Sequence, residues 1–379
     1  MDHDSLRAEF PLLDTCLYLN SNSTGAVPRR VETVLKRYWQ TLTGWRDEVW
    51  SNWLEVAVRG GGHVADVGVA GLTLGGGNGW FARVFGLACD NLLAADVLTA
   101  AGEIVRAGPD ENQDLYWGLR GGGNLGVVLE FTLRLHPVGD LLGGLLMYRL
   151  EDAPEVLGFL AEYDAPDDEV NVAPAILAAP PAPFVPAELH GQPVFALAVC
   201  YVGDIPAGVR ELAALRAVGK PLADLVGPTS FEVLQHFFDA QSAPTPYRMR
   251  SHLGGPITAE LIETLVDFGG RPSSPENLIL LLPMGGTTGA VAPEETAFWH
   301  RGAAYCLEIA AAWSADEENP GRHAEWADQL WAATRPWSVG AEANHLATKD
   351  LTGSAAPTAA TTNGWPRSSG RGTRRTCSG

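Results

Sequence analysis

A chain of 379 residues has room for about two domains of ordinary size. It is 46% hydrophobic and 19% charged, apolar enough to build a core and to exclude disorder throughout. Its 26 basic residues against 45 acidic ones leave a net charge of −19, which opposes phosphate backbones, so no nucleic-acid partner is expected. Five scattered cysteines (Cys16, Cys89, Cys200, Cys306, Cys377) form no CxxC pair, which argues against a disulfide framework and a structural zinc site. The opening MDHDSLRAEF has no apolar signal core, and runs such as Leu278 to Leu282 are too short to cross a bilayer. A cytoplasmic protein with no membrane partner and no metal is the expectation.

Residues 1–55 carry two stretches of helical periodicity, Val31-Val34-Leu35-Tyr38 and Trp45-Val49-Trp53, after the turn-rich Asn20 to Gly25. From 56 to 137 the chain is rich in glycine and short apolar strands: Val56 to Val58, Leu92 to Leu98 and Val127 to Leu135. From 138 to 330 strands at Leu141 to Leu150, Val194 to Val202, Leu278 to Leu282 and Tyr305 to Trp313 alternate with helices. Those helices are predicted at 153–163, 206–218, 230–240, 257–267 and 321–334, and the Pro-rich stretch 173–186 reads as a surface loop. Such a pattern predicts an α+β fold, with an antiparallel-sheet domain covered by helices. Residues 347–379 are low in complexity, with five basic residues against Asp350, and read as a disordered basic tail.

Several common chemistries are missing from the sequence. It has no GxxxxGK[ST], no HExxH and no Gly-x-Ser-x-Gly. Instead three glycine clusters fall within about seventy residues: Gly60-Gly61-Gly62-His63, Gly71 to Gly79, and Gly121-Gly122-Gly123. Backbone free of side chains approaches a ligand closely and can turn consecutive amides toward an anion, which suits an acidic protein holding a dinucleotide.

The stretches VRGGGH, GVAGLTLGGGNGW, GLACDNLLAADVLTAAGEIV and DLYWGLRGGGNLGVVLEFTLRLHPV, in that order, resemble the berberine-bridge-enzyme-like flavin oxidases. These belong to the vanillyl-alcohol-oxidase superfamily, whose FAD-binding domain is of the PCMH type. The resemblance implies an incomplete FAD-binding domain over 56–137, a substrate domain over 138–330, and a segment 331–346 that returns to the FAD domain. It implies FAD, attached covalently through His63, with Gly60, Gly61 and Gly62 near the ring and Gly71, Gly75, Gly76 and Gly77 along the pyrophosphate. Asn91, Val127 and Val128 would line the cofactor site, and Cys89 would be a small buried residue.

The implied reaction is hydride transfer from a small alcohol or amine to the flavin, with reoxidation by dioxygen. Where the family places a tyrosine two residues before an asparagine, this chain has Glu342 and Asn344, the candidate catalytic pair. Tyr247, Arg248 and Arg250 are the candidate substrate residues, read as lying in a Pro-rich turn. Only four residues separate His63 from Gly68, where the family inserts several strands. A second reading is therefore a degenerate or fused remnant with weak flavin binding or none. Residues 18–28 resemble the start of class V aminotransferase or kynureninase-like PLP enzymes, which leaves a PLP-transferase fragment as a third.

Overall fold

In the computed structural model, His63 and residues 67–123, 125–139, 141–163, 168–237 and 245–342 are described. Residues 1–62 and 343–379 lie outside them, and with them the N-terminal segment, Gly60 to Gly62, Asn344 and the basic tail. Two short helices, α1 (Val69–Leu74) and α2 (Ala82–Phe85), lead through a 3-10 turn at Ala88–Asn91 into a small antiparallel sheet. That sheet has the order β2-β1-β3, with β1 Leu92–Leu98, β2 Ile104–Ala107 and β3 Val127–Leu133. Helix α3 (Gln113–Leu119) packs Leu115, Tyr116 and Leu119 against Leu92, Ala95 and Val97 of the sheet. The Tyr116 hydroxyl donates to Leu92 O at 2.6 Å, which ties the helix to the first strand.

The larger sheet has nine strands among the described residues, all antiparallel: β4 (Leu141–Arg149), β5 (Val170–Ala178), β6 (Pro193–Tyr201), β7 (Ala223–Asp224), β8 (Gly227–Thr229), β9 (Tyr247–Gly254), β10 (Leu278–Pro283), β11 (Tyr305–Ala312) and β12 (Ser338–Gly340). Its order is β12-β9-β11-β10-β5-β6-β4-β7, with β8 also on β4. The fold class expected from the sequence, α+β with a helix-covered antiparallel sheet, is the fold observed.

Side-chain alternation splits this sheet into two faces. Ile176, Leu197, Ile279, Leu307 and Ile309 face three helices, α4 (Ala153–Glu162), α8 (Ala259–Gly269) and α10 (Gly321–Thr334). Each helix buries residues at helical spacing: Ala153, Val156 and Leu157; Leu261, Ile262 and Leu265; His323, Trp326, Ala327 and Leu330. Thr258 caps α8 by accepting from the Leu261 amide at 3.3 Å. On the opposite face Ala173, Ala175, Ala198, Cys200, Leu280, Leu282 and Cys306 meet Trp80, Phe81 and Leu87 from the glycine-rich half.

Three sequence expectations change here. The Pro-rich stretch 173–186 is half strand: its first six residues belong to β5, because Val170, Ala173, Ala175 and Ile176 are buried between two neighbours that hydrogen-bond the backbone. The helix expected at 206–218 is two helices, α5 (Ile205–Glu211) and α6 (Ala213–Ala217), and that at 230–240 is described only as the short α7 (Phe231–Gln235). Of the segment 331–346, expected to return to the glycine-rich half, residues 331–342 are described, and they complete α10 and add β12 to the edge of the large sheet beside β9.

The two halves are joined by polar contacts as well as by the shared apolar layer. Thr287 and Thr288, in the short helix α9 (Thr287–Ala290), donate to Val84 O and Ala82 O at 2.8 and 2.9 Å. Trp117 Nε1 donates to Glu294 O at 2.7 Å. Arg301 donates to both carboxylate oxygens of Asp90 at 2.7 Å, a bidentate pair with Arg301 only 2% exposed.

Candidate functional site

His63, Gly76 and Glu342 meet the apolar layer between the halves, through Trp80, Phe298 and Cys306 respectively. His63 is buried with its ring 5.1 Å from that of Trp80, and its Nε2 has no hydrogen-bond partner. Burial pushes its pKa down to about 3, so the imidazole is neutral at pH 7. A neutral, buried imidazole with an orphaned nitrogen is suited to forming a bond that the chain itself does not supply.

The second glycine cluster closes on the protein. Gly75 and Gly76 donate to Gly71 O and Thr73 O, both at 3.2 Å, while the carbonyls of Gly76 and Gly77 accept from Cys89 and Ala88 at 2.9 Å. Gly76 and Gly77 have φ of +120° and +87°, which favours glycine. A Cβ at Gly76 would stand 2.6 Å from the Phe298 ring. The third cluster behaves alike: Gly122 and Gly123 donate to Gly118 O and Leu74 O at 2.9 Å, and a Cβ at Gly121 would stand 2.6 Å from Phe298 Cβ. The bare backbone of Gly76 and Gly121 therefore receives Phe298. The amides of Gly75 and Gly76 are therefore bonded within the chain, and the run of Gly71, Gly75, Gly76 and Gly77 along a pyrophosphate stays a proposal.

Asn91 also points inward. Its Nδ2 donates to Phe85 O and Leu87 O at 2.9 and 3.0 Å, and its Oδ1 lies 2.7 Å from His136 Nε2. Asn91 and His136 do line a cleft with Thr73, Gly77, Phe85 and Val138, but at about 40 Å³ it is far below the several hundred that a cofactor occupies. Val127 and Val128 pair with Leu98 and Val97 at the start of β3. Cys89 is buried, as expected, and burial raises its thiol pKa.

Glu342 follows β12 and is 4% exposed. The Cys306 thiol donates to its Oε2 at 3.7 Å. Burial, then the nearby Glu342 charge, pushes the Cys306 thiol well up, so it stays protonated and serves as a donor. Cys306 was not singled out in the sequence; only the register that sets it beside Leu253 and Leu282 on the inner face reveals it.

The Pro-rich turn expected at the substrate candidates is a strand. Tyr247, Arg248 and Arg250 form the first half of β9, a strand whose alternating polar residues conceal it. Arg248 and Arg250 point to the helix side, donating to Asp328 of α10 at 3.1 and 2.7 Å, and Arg250 stacks on Trp331. Burial works against the Asp328 carboxylate, but those bonds more than offset it and hold its carboxyl below the usual range. Tyr247, the next residue in the alternation, points to the other side and is 65% exposed. The arginines are engaged in holding α10 to the sheet, away from the layer that contains His63.

His252 extends this helix-side arrangement, with Nε2 3.0 Å from Thr334 Oγ1 and burial pushing its pKa down to about 4. His63 and His252 both bind a proton less readily folded than at their ordinary 6.5. The unfolded chain therefore takes up more protons below that pH, and stability, full above it, falls as the pH drops toward 4. Thermal unfolding followed from about pH 7.5 to 4.5 is expected to show this decline, and His252→Gln is expected to flatten it.

The comparisons fit this geometry. No protein-family model matches the chain. An FAD-linked oxidoreductase of Dictyostelium discoideum is 28% identical over 290 residues, covering 75% of this chain and 61% of the relative. An uncharacterized FAD-linked oxidoreductase of Bacillus subtilis is 27% identical over 278 residues, 71% of this chain and 59% of the relative. The chain thus spans about three fifths of the length of these relatives. Among solved structures, a variant of Physcomitrella patens BBE-like 1 aligns with a TM-score of 0.65 at 22% identity, covering 76% of this chain and 64% of the other. A 6-hydroxy-D-nicotine oxidase from Arthrobacter nicotinovorans aligns with 0.64 at 21%, covering 78% and 67%. The fold is that of the berberine-bridge-enzyme-like proteins, and the sequence relatives are FAD-linked oxidoreductases. None of these is a PLP enzyme, so the resemblance of residues 18–28 has no support.

Proposed function

We propose that this chain is an FAD-linked oxidoreductase acting on a small organic alcohol or amine, with dioxygen as electron acceptor. The orphaned imidazole of His63 carries the reading: it fits the ring end of a covalently held flavin, in a fold shared with flavin oxidases. Bound there, FAD supplies the hydride acceptor that no side chain can provide. His63 would hold the ring, and Trp80 and Phe81 exclude water from the layer around it.

Glu342 takes the proton released from the substrate hydroxyl or amine at its carboxylate. Cys306 holds Oε2 in place, and burial of the pair keeps competing water away. Asn344 is the proposed partner of Glu342 toward the substrate. A cytoplasmic location is part of this proposal.

Acid precipitation of the purified chain tests it. A yellow pellet that retains flavin is expected, and His63→Ala is expected to release or lose the chromophore. A colourless protein overturns the reading in favour of a remnant that keeps the fold without the cofactor. The internal bonding of the glycine amides is the observation that favours that alternative.

A further inference from the structure

The sheet face toward Trp80 and Phe81 contains a polar side chain that its surroundings do not satisfy. Asn171, near the start of β5, is 1% exposed, and neither its Oδ1 nor its Nδ2 has a hydrogen-bond partner. Ala173 and Ala175, which share its face, belong to the apolar layer, and its cross-strand partner on β6 is Cys200. Native interiors leave few buried polar groups unpaired, and a carboxamide unpaired at both ends is rarer still.

A second orphan lies close by. Asn78 donates through Nδ2 to Pro283 O at 3.2 Å and to Met284 Sδ at 3.4 Å, and its buried Oδ1 has no partner. Strands β5 and β10 pair with Leu280 opposite Ala175. Arg83 links the two places, since it meets both Asp168, three residues before Asn171, and Met284, the residue Asn78 touches. Arg83 at this end pairs with Asp168 at 3.6 Å and donates to Met284 O at 2.9 Å, while its buried Nε has no partner, and Glu169 accepts from the Tyr201 hydroxyl at 2.9 Å. The unpaired Asn171 amide and Asn78 Oδ1 are neutral, so a neutral group can complete them without burying a further charge.

We propose that Asn171, with Asn78 at the same end of the sheet, is the receptor for a neutral cis-amide edge, an N–H next to a C=O. The ligand N–H donates to Asn171 Oδ1 while its carbonyl accepts from Asn171 Nδ2, a paired match that a lone carbonyl or an amine cannot make. Asn78 Oδ1 accepts a further N–H or O–H. Two sources offer this edge: a lactam or amide on the substrate, or the imide edge of the flavin ring, the latter resting on the function proposed above.

Binding to the full chain, measured by calorimetry with 2-piperidone, N-methyl-2-piperidone and lumiflavin, tests the proposal. The N-methyl compound lacks the N–H and leaves Asn171 Oδ1 unpaired, so it is expected to bind about tenfold more weakly than 2-piperidone. Asn171→Leu is expected to abolish that preference. In the flavin-free His63→Ala chain, loss of lumiflavin binding on adding Asn171→Leu assigns the edge to the flavin; unchanged lumiflavin binding assigns it to the substrate. Equal binding of the two piperidones by the unaltered chain overturns the proposal, and so does a preference that survives Asn171→Leu. The comparison in the unaltered chain decides even where the variant does not fold. A colourless chain that still prefers 2-piperidone refutes the flavin reading and leaves this one standing.

Discussion

Arg301→Met is expected to lower the unfolding free energy by about 3 kcal/mol, because it leaves the buried Asp90 carboxylate with only the longer 3.8 Å pairing to Arg120. The pair is almost fully desolvated, with side-chain exposures of 1% and 8%. Burial disfavours the Arg301 charge, yet the bonds and charge of Asp90 more than compensate and hold its pKa above the ordinary value. The same guanidinium donates to Thr296 Oγ1 at 2.6 Å and to Phe298 O at 3.1 Å, so it organises the whole loop that faces the glycine clusters. Urea unfolding of the single variant and of Asp90→Asn/Arg301→Met separates the two contributions. The double variant is expected to recover much of the loss, since an amide at position 90 can still accept from the Leu87 amide as Asp90 Oδ2 does at 2.9 Å. Equal losses in single and double variants would show that Arg301 acts through packing and the loop, not through the ion pair.

Gly121→Ala is expected to destabilise by about 2–4 kcal/mol through overpacking and backbone strain together. Its φ of +107° is one that L side chains rarely adopt, and the new Cβ would lie 2.6 Å from Phe298 Cβ and 2.8 Å from Phe298 N. Gly123 is the internal control: its φ is +83°, but a Cβ there meets nothing within 4 Å, so alanine should cost only about 1–2 kcal/mol of strain. Chemical denaturation of both variants, together with flavin content, distinguishes the two roles of the cluster. If Gly121→Ala keeps its stability and loses only chromophore, the bare backbone serves a ligand and the account given for Phe298 is wrong.

The contrast between those two glycines illustrates how far the sequence could be read. Ordered glycine motifs identified the fold family, because a resemblance in order and spacing survives at 28% identity. Yet a glycine shows only that a side chain is excluded. Whether phosphate or Phe298 fills the space depends on a residue about 180 positions away, and no local pattern records it.

Strands with strong apolar runs, such as β6 and β10, were legible within a residue or two because burial on both faces makes them continuously apolar, and α10 matched at both ends because burial on one face imposes a helical period. β5 and β9 were not legible. Pro174 and the Pro-rich continuation mask the first, and the Tyr-Arg-Met-Arg-Ser-His alternation mimics a solvated loop in the second. Their pairing in mid-sheet overrides local preference because backbone hydrogen bonds are satisfied by neighbours distant in sequence.

The sequence by itself determined the composition of the layers, the α+β class and the likeness to flavin oxidases, all of which follow from periodicity and motif order. Only the tertiary structure decided which polar groups are spent and which are left over. It engages Arg248 and Arg250 with Asp328, joins Glu342 to Cys306, and leaves His63 Nε2 and the Asn171 amide without partners. Satisfaction of a buried polar atom depends on what lies within about 3 Å of it, and chain order does not specify that distance.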